Sequence, residues 1–111
     1  LLINSKEQMF TEKLKSLLRF GSLSTRFKDI YDLFFLTELV DKNEIITCFD
    51  ILIFQDSKMR EKTIDDIVKR IQATFSNNIY LENLSTSNKN WIGVENNIVL
   101  GGIIQFLKSL K

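Results

Sequence analysis

The 111-residue chain contains no histidine, no proline and a single cysteine. Without histidine it cannot form a Ser-His-Asp triad, a histidine metal site or an imidazole general base. The single cysteine, Cys48, cannot form an intrachain disulfide, which is typical of proteins of the reducing cytoplasm. Because Cys48 lies in the mostly apolar run of residues 45–49, we predict a small buried side chain rather than a nucleophile.

The chain also lacks a strong net charge and a long hydrophobic run. Its formal net charge is +1, which provides no overall attraction to nucleic acid or to an anionic membrane. No apolar stretch approaches the ~18 residues of a transmembrane helix, and no signal peptide is recognisable. The length and the hydrophobic and charged contents of 44% and 26% are typical of one globular domain. We therefore expect a cytoplasmic protein without a membrane span.

Hydrophobic spacing predicts an all-α fold, a helical bundle of about five helices in one domain over residues 1–111. Ser5 is expected to cap the start of the first helix, and Gly21 to end it. Thr63 is expected to cap a later helix. The predicted helices cover residues 5–20, 24–40, 44–54, 63–75 and about 94–110, with a short one near 79–84. Any strand is confined to residues 1–3.

The second predicted helix places charges beside an apolar stripe. At 100° per residue, the stripe consists of Phe27, Ile30, Tyr31 and Phe34. On the opposite side lie Lys28, Asp29 and Asp32. Because the rest of this helix is almost entirely apolar, burial of these charges is costly unless they are paired or used. The pattern therefore predicts a site rather than a solvated face.

Arrangements that need no ligand also explain these charges. Lys28 and Asp32 lie four residues apart, and Arg26 and Asp29 three apart, so that each pair fits a helix-surface ion pair worth ~0.2–0.5 kcal/mol. Lys13 falls within the apolar stripe of the first helix, where its stem can cover the core while its ammonium reaches water. Spacing alone leaves these interpretations open.

Two blocks of sequence resemble a known family. The pattern E..F.EKL at residues 7–14 is followed, after a Gly/Ser link, by S.R.KD.YDL..L at residues 24–36. Together they resemble the C-terminal half of the AbiEii/AbiGii nucleotidyltransferase toxins of abortive-infection and toxin–antitoxin systems. In that family the metal-binding carboxylates lie in an N-terminal α/β half, which residues 1–111 do not contain. We therefore expect the chain to be the helical C-terminal domain of a longer enzyme and to be inactive alone.

The resemblance implies a site shared by the two helices. The intact parent is implied to transfer a nucleotide from an NTP to an acceptor such as RNA, with Mg²⁺ held by carboxylates of its other half. Lys13 and Arg26 are implied to bind the phosphates. Lys28 would neutralise charge on the triphosphate, Asp29 would orient Lys28 or take a proton from the acceptor hydroxyl, and Asp32 would support them. No metal ligand is expected in this chain.

A function of another class is the alternative. In that case the chain is a non-catalytic helical module that docks a protein partner such as an antitoxin. Trp91 is either a core anchor or a partner-facing aromatic. The segment Lys58–Lys62 is interpreted as a charged linker rather than a nucleic-acid patch, because neighbouring acidic residues dilute its charge.

Three smaller expectations concern packing. Tyr31 and the phenylalanines of the second helix are expected in the core rather than in a base-stacking platform: Phe27, Phe34 and Phe35. Glu7 is a candidate partner of Arg26 or Lys28 across the helices. The adjacent Gly101 and Gly102 cost about 1 kcal/mol each inside a helix relative to alanine, and we expect them to permit close helix packing.

Overall fold

The structure, a computed structural model, describes residues 5–25, 27–88 and 96–111. These residues are helical without strands, which confirms the predicted all-α bundle. The α-helices are α1 (Lys6–Phe20), α2 (Lys28–Leu36), α3 (Lys42–Phe49), α4 (Ile64–Phe75), α5 (Asn78–Asn88) and α6 (Asn96–Lys108). A 3₁₀ turn, Gly21–Leu23, follows α1, and a π-helical segment, Asp50–Phe54, continues α3. The strand predicted at residues 1–3, together with Arg26 and Trp91, lies outside the described residues.

Side-chain caps fix the starts of three helices. The Ser5 hydroxyl accepts a hydrogen bond from the Gln8 N–H at 3.1 Å, and Thr63 caps α4 in the same way. Both caps were predicted from the sequence, and each such cap is worth about 1 kcal/mol. Asp41 caps α3 with a carboxylate that accepts from two backbone N–H groups.

Helix α2 is shorter than the pattern predicted. Ser24 is extended, at φ −61° and ψ 135°, and the helix begins at Lys28. It ends at Leu36, after which the N–H groups of Glu38 and Leu39 donate to carbonyls three residues back, those of Phe35 and Leu36. By contrast, α5 extends to residue 88, beyond its predicted end.

The core lies among the inward faces of all six helices. Helix α1 packs against α2, α3 and α4, and α6 packs against α2 and α4. Tyr31 is buried, and Phe27 packs against Tyr80 with ring centroids 5.6 Å apart, which confirms the core interpretation for both. Phe35 is instead 45% exposed, because it lies seven residues after Lys28 and shares its outward face.

Glycine is required at two close contacts. Gly21 ends α1 with φ +55°, and a Cβ there would lie 2.8 Å from Nη2 of Arg70 on α4. A Cβ on Gly102 would lie 2.5 Å from Cε1 of Phe34, which confirms close packing of α6 on α2. Gly101 has nothing within 4 Å of such a Cβ. Of the glycine pair, Gly102 alone makes the predicted close contact.

Among the helices described, none is long and apolar enough to cross a membrane.

Candidate functional site

Three residues of the predicted site meet between α1 and α2. The Lys13 ammonium donates a hydrogen bond to Asp29 Oδ1, with Nζ 3.0 Å from the oxygen. The same nitrogen lies 3.3 Å from Asp32 Oδ2. Because Asp29 and Asp32 are three residues apart on α2, their carboxylates project from one face. The structure thus places one α1 cation between two α2 anions, an arrangement we call the Lys13 cluster.

The cluster lies at the edge of the helix interface. The side chain of Asp29 is 15% exposed and that of Lys13 24%, whereas Asp32 is 50% exposed. The next residue of α1, Leu14, is fully buried, so the Lys13 stem starts beside the core and its ammonium reaches the rim. Lys13 therefore both covers apolar surface and forms ion pairs.

The carboxylates favour the charged form of Lys13. Burial acts against the ammonium, but the hydrogen bonds and charges of Asp29 and Asp32 outweigh it and raise the Lys13 pKa. The cluster carries a net charge of about −1 from two carboxylates and one ammonium. A lysine ammonium has three N–H donors, and two described acceptors leave one for a further oxygen.

An open depression borders the cluster. It has a volume of about 280 Å³ and is lined by Met9, Glu12, Lys13, Ser16 and Asp29. This volume is close to the lower limit of small-molecule sites, roughly 300 Å³. The depression is therefore large enough for a phosphate group or part of a sugar, and too small for a whole nucleotide.

The remaining predicted site residues are less fully defined. Lys28 is exposed at the start of α2, directly before Asp29. Arg26 lies outside the described residues. The segment Lys58–Lys62 is non-helical and mostly exposed, as a linker should be. Within it, however, Met59 and Glu61 are buried.

Glu7 bonds the start of α3. Its Oε2 accepts the Asp41 N–H at 2.8 Å, and of its two expected partners Arg26 lies outside the described residues. This hydrogen bond outweighs burial and lowers the Glu7 pKa. Glu44, one turn into α3, has its pKa raised chiefly by the Glu7 charge and by its hydrogen bond to Glu7. The charge of Glu7 thus supports the beginning of α3.

A second concave surface was not predicted from the sequence. We call it the α1–α3 groove; it has a volume of about 570 Å³ and is lined by Ser5, Gln8, Glu44, Thr47, Cys48, Ile51 and Leu52. Cys48 is half-buried on its wall, not fully buried as expected, and burial raises its thiol pKa. The signal in the sequence was the helical spacing of residues 44, 47, 48 and 51, which the stronger core stripe of the same helix obscured.

Within residues 5–25, 27–88 and 96–111, no group of three or more cysteine, aspartate or glutamate side chains could hold a metal ion. Asp29 and Asp32, the carboxylates of the Lys13 cluster, both bind the ammonium. The donor set present there does not fit Mg²⁺.

The chain was compared with known proteins by sequence and by structure. No protein-family model, curated protein or solved structure matches it. The resemblance to the AbiEii/AbiGii toxins therefore depends on the two sequence blocks within residues 7–36.

Proposed function

We propose that the chain is the helical C-terminal part of an AbiEii-like nucleotidyltransferase toxin, in which it lines the NTP site. The observation that carries this proposal is the convergence of Lys13 with Asp29 and Asp32. The two sequence blocks that resemble the family are separated by the turn after α1, and their charged residues meet at one open depression. The meeting of these charges favours one shared site over two unrelated surface ion pairs.

The proposed chemistry is nucleotidyl transfer to a hydroxyl acceptor such as RNA. The hydroxyl oxygen attacks the α-phosphorus of the NTP, its proton passes to Asp29, and the bond to pyrophosphate breaks with the electron pair leaving on pyrophosphate. Lys13 and Lys28 would hold the phosphate oxygens, because such reactions depend mainly on positioning and on stabilisation of charge. The Lys13 ammonium would donate its third N–H to a phosphate oxygen on NTP binding.

Both carboxylates of the Lys13 cluster bind the ammonium. The resemblance implies that Mg²⁺ would be held by carboxylates of the other half of the proposed parent. The contribution of this chain is to bind phosphate and to accept a proton.

The test uses the parent enzyme with both halves and measures transfer of labelled nucleotide to bulk RNA. Lys13→Ala, Lys28→Ala and Asp29→Ala should each lower transfer by one or more orders of magnitude, roughly the effect of removing one charge-stabilising group. Lys15→Ala is the matched control, because Lys15 also lies on α1 and pairs with an aspartate, Asp56, at 2.7 Å. It should transfer at the parental rate.

Thermal unfolding separates loss of function from loss of fold. The Lys28→Ala variant should melt within a few degrees of the parent, because Lys28 is exposed and exposed ion pairs contribute about 1 kcal/mol or less. Lys13→Ala and Asp29→Ala remove one partner of a mostly buried pair and should melt earlier, so transfer is measured at a temperature at which each variant is folded. Parental transfer by all three folded variants would refute the proposed site.

One observation favours the alternative function, docking of a protein partner such as an antitoxin. The α1–α3 groove presents Ile51, which is 54% exposed, beside the half-buried Cys48 and Leu52. A concave surface with exposed aliphatic side chains is typical of a helix-binding site.

A further inference from the structure

The α1–α3 groove has no part in the proposed nucleotide chemistry. One of its walls is the start of α1, with Ser5 and Gln8. The other wall is α3 and its π-helical continuation. Lys13 and Asp29 line a different depression, so the groove requires a separate explanation.

The shape of the groove matches a helix. Its long wall is one stripe of a continuous helix, formed by Glu44, Thr47, Cys48, Ile51 and Leu52. These positions follow the spacing i, i+3, i+4, i+7 and i+8, which is about 12 Å of helix at 1.5 Å per residue. A channel between two neighbouring helices accepts the apolar face of a third, amphipathic helix. The wall is long enough for about two turns of such a helix.

One end of the groove is apolar, because Ile51 and Leu52 line it. Both lie in the π-helical segment, in which the Gln55 N–H donates to the Asp50 carbonyl at 3.1 Å, five residues back rather than four. Single π-turns within α-helices frequently occur at functional sites.

The other end of the groove is acidic. Glu44 is exposed there, and the charges of Glu7 and Asp41 act on it. Repulsion by both groups raises the Glu44 pKa. Lys6 is the cation that acts on Glu7 in the described structure. A cation brought by a partner would offset this repulsion, so the two ends of the groove require different side chains from one ligand.

We infer that the α1–α3 groove binds an amphipathic helix of a protein partner. Aliphatic side chains of that helix pack on Cys48, Ile51 and Leu52, and a lysine or arginine about two turns away pairs with Glu44. The inference gives the chemistry of the partner in the docking function above. It does not depend on nucleotide transfer.

The experiment is an NMR titration of the full chain with two synthetic peptides of about 16 residues, long enough to form helix on binding. Both peptides have leucine at i, i+3, i+4 and i+7; the polar positions are lysine in one and glutamate in the other. The lysine peptide should shift the amide resonances of groove residues and bind at least tenfold more tightly than the glutamate peptide.

Three variants locate the binding. Ile51→Asp should weaken binding of the lysine peptide at least tenfold, and Glu44→Gln should reduce its advantage over the glutamate peptide severalfold. Ile79→Asp is the matched control, because Ile79 is a 69% exposed isoleucine on α5, and it should bind as the unmodified chain does. Lys13→Ala should also bind normally, which separates this inference from the nucleotide site. Circular dichroism confirms that each variant is folded.

Three outcomes would overturn the inference. The first is binding that Ile51→Asp leaves unchanged, or resonance shifts outside the groove. The second is a concentration-dependent dimer that Ile51→Asp abolishes, which would make a second copy the occupant. The third is binding that appears only after removal of residues 1–4, which would make the chain's own N-terminus the occupant.

Discussion

Two lysines of α1 show how position decides the part that a charge plays. Lys15 pairs with Asp56, which follows the π-helical segment, whereas Lys13 binds two aspartates of a neighbouring helix. The second arrangement joins two elements through one ammonium beside an open depression. For this reason the Lys13 cluster, and not the Lys15 pair, is the candidate for ligand binding.

Lys13 should contribute a pH-dependent stability. Its pKa is raised in the folded chain, so its stabilising contribution is complete below the unfolded value of about 10.4. That contribution is lost as the pH rises through the raised folded value. Urea unfolding at alkaline pH should show a steeper fall in stability for the parent chain than for Lys13→Gln. Identical slopes would mean that the aspartates do not hold the ammonium.

Glu7 should have the opposite dependence, in acid. Its pKa is lowered by the Asp41 N–H, so the stabilisation is present above the unfolded value of about 4.3 and is lost as the pH falls through the lowered folded value. Glu7→Ala leaves the Asp41 N–H without this acceptor and should cost roughly 1–3 kcal/mol at neutral pH. Denaturant unfolding between neutral and acidic pH measures both effects, and an unchanged acid slope in Glu7→Ala would contradict them.

Glu44 provides the matched comparison. The Glu7 charge raises its pKa, so ionised Glu44 is disfavoured in the folded chain. Glu44→Gln should therefore leave the stability at neutral pH unchanged or slightly higher. Like Glu7→Ala, it removes a glutamate charge near the Asp41 cap of α3, so the two variants can be compared directly. A large destabilisation would show that Glu44 supports α3 in a way that its raised pKa does not reflect.

At the scale of the element, α6 carries a natural pair of test sites. Gly102→Ala should be destabilising, by roughly 1–2 kcal/mol, because its Cβ would lie 2.5 Å from Cε1 of Phe34 and overpacking exceeds the gain in helix propensity. Gly101→Ala should stabilise the chain by about 0.5–1 kcal/mol, because alanine has the higher helix propensity. Nothing lies within 4 Å of a Cβ at this position. Thermal unfolding of the two variants measures the difference, and equal effects would contradict the described packing of α6 on α2.

The elements also show what could be predicted from sequence. The caps Ser5 and Thr63 and the stop at Gly21 were predicted because each is a local interaction, complete within a few residues. The end of α2 was not, because apolar spacing continues past Leu36 while the backbone bonding changes there, with the Leu39 N–H donating to the Leu36 carbonyl three residues back. Periodicity reports which residues are apolar and does not report where the backbone bonding changes.

The candidate site could be predicted in part for a related reason. Spacing placed Asp29 and Asp32 on one face of the second helix and Lys13 within the apolar stripe of the first, and the structure joins them. Sequence spacing could not predict that the Glu7 carboxylate accepts a hydrogen bond at the start of α3, because that contact joins residues 34 apart in sequence. The α1–α3 groove was missed because it depends on how far apart two helices lie.

At the scale of the whole molecule, the proposal divides the enzyme between two halves. The resemblance assigns the metal-binding carboxylates to the half outside residues 1–111, so this chain alone should add no labelled nucleotide to RNA in the presence of Mg²⁺ and NTPs. The assay requires a folded sample, verified by circular dichroism, and the parent enzyme as positive control. Robust labelling by the 111-residue chain would refute the division into halves.

The contact between Gly21 and Arg70 couples two positions across the molecule. Alanine at position 21 meets two obstacles, a left-handed φ of +55° and a guanidinium nitrogen 2.8 Å from its Cβ. The guanidinium is the end of a flexible side chain and can move aside for a Cβ, whereas the φ of +55° stays unfavourable for any residue that has one. Arg70→Ala should therefore not make alanine acceptable at position 21. In evolutionary terms, the backbone of this turn, and not Arg70, keeps glycine at position 21.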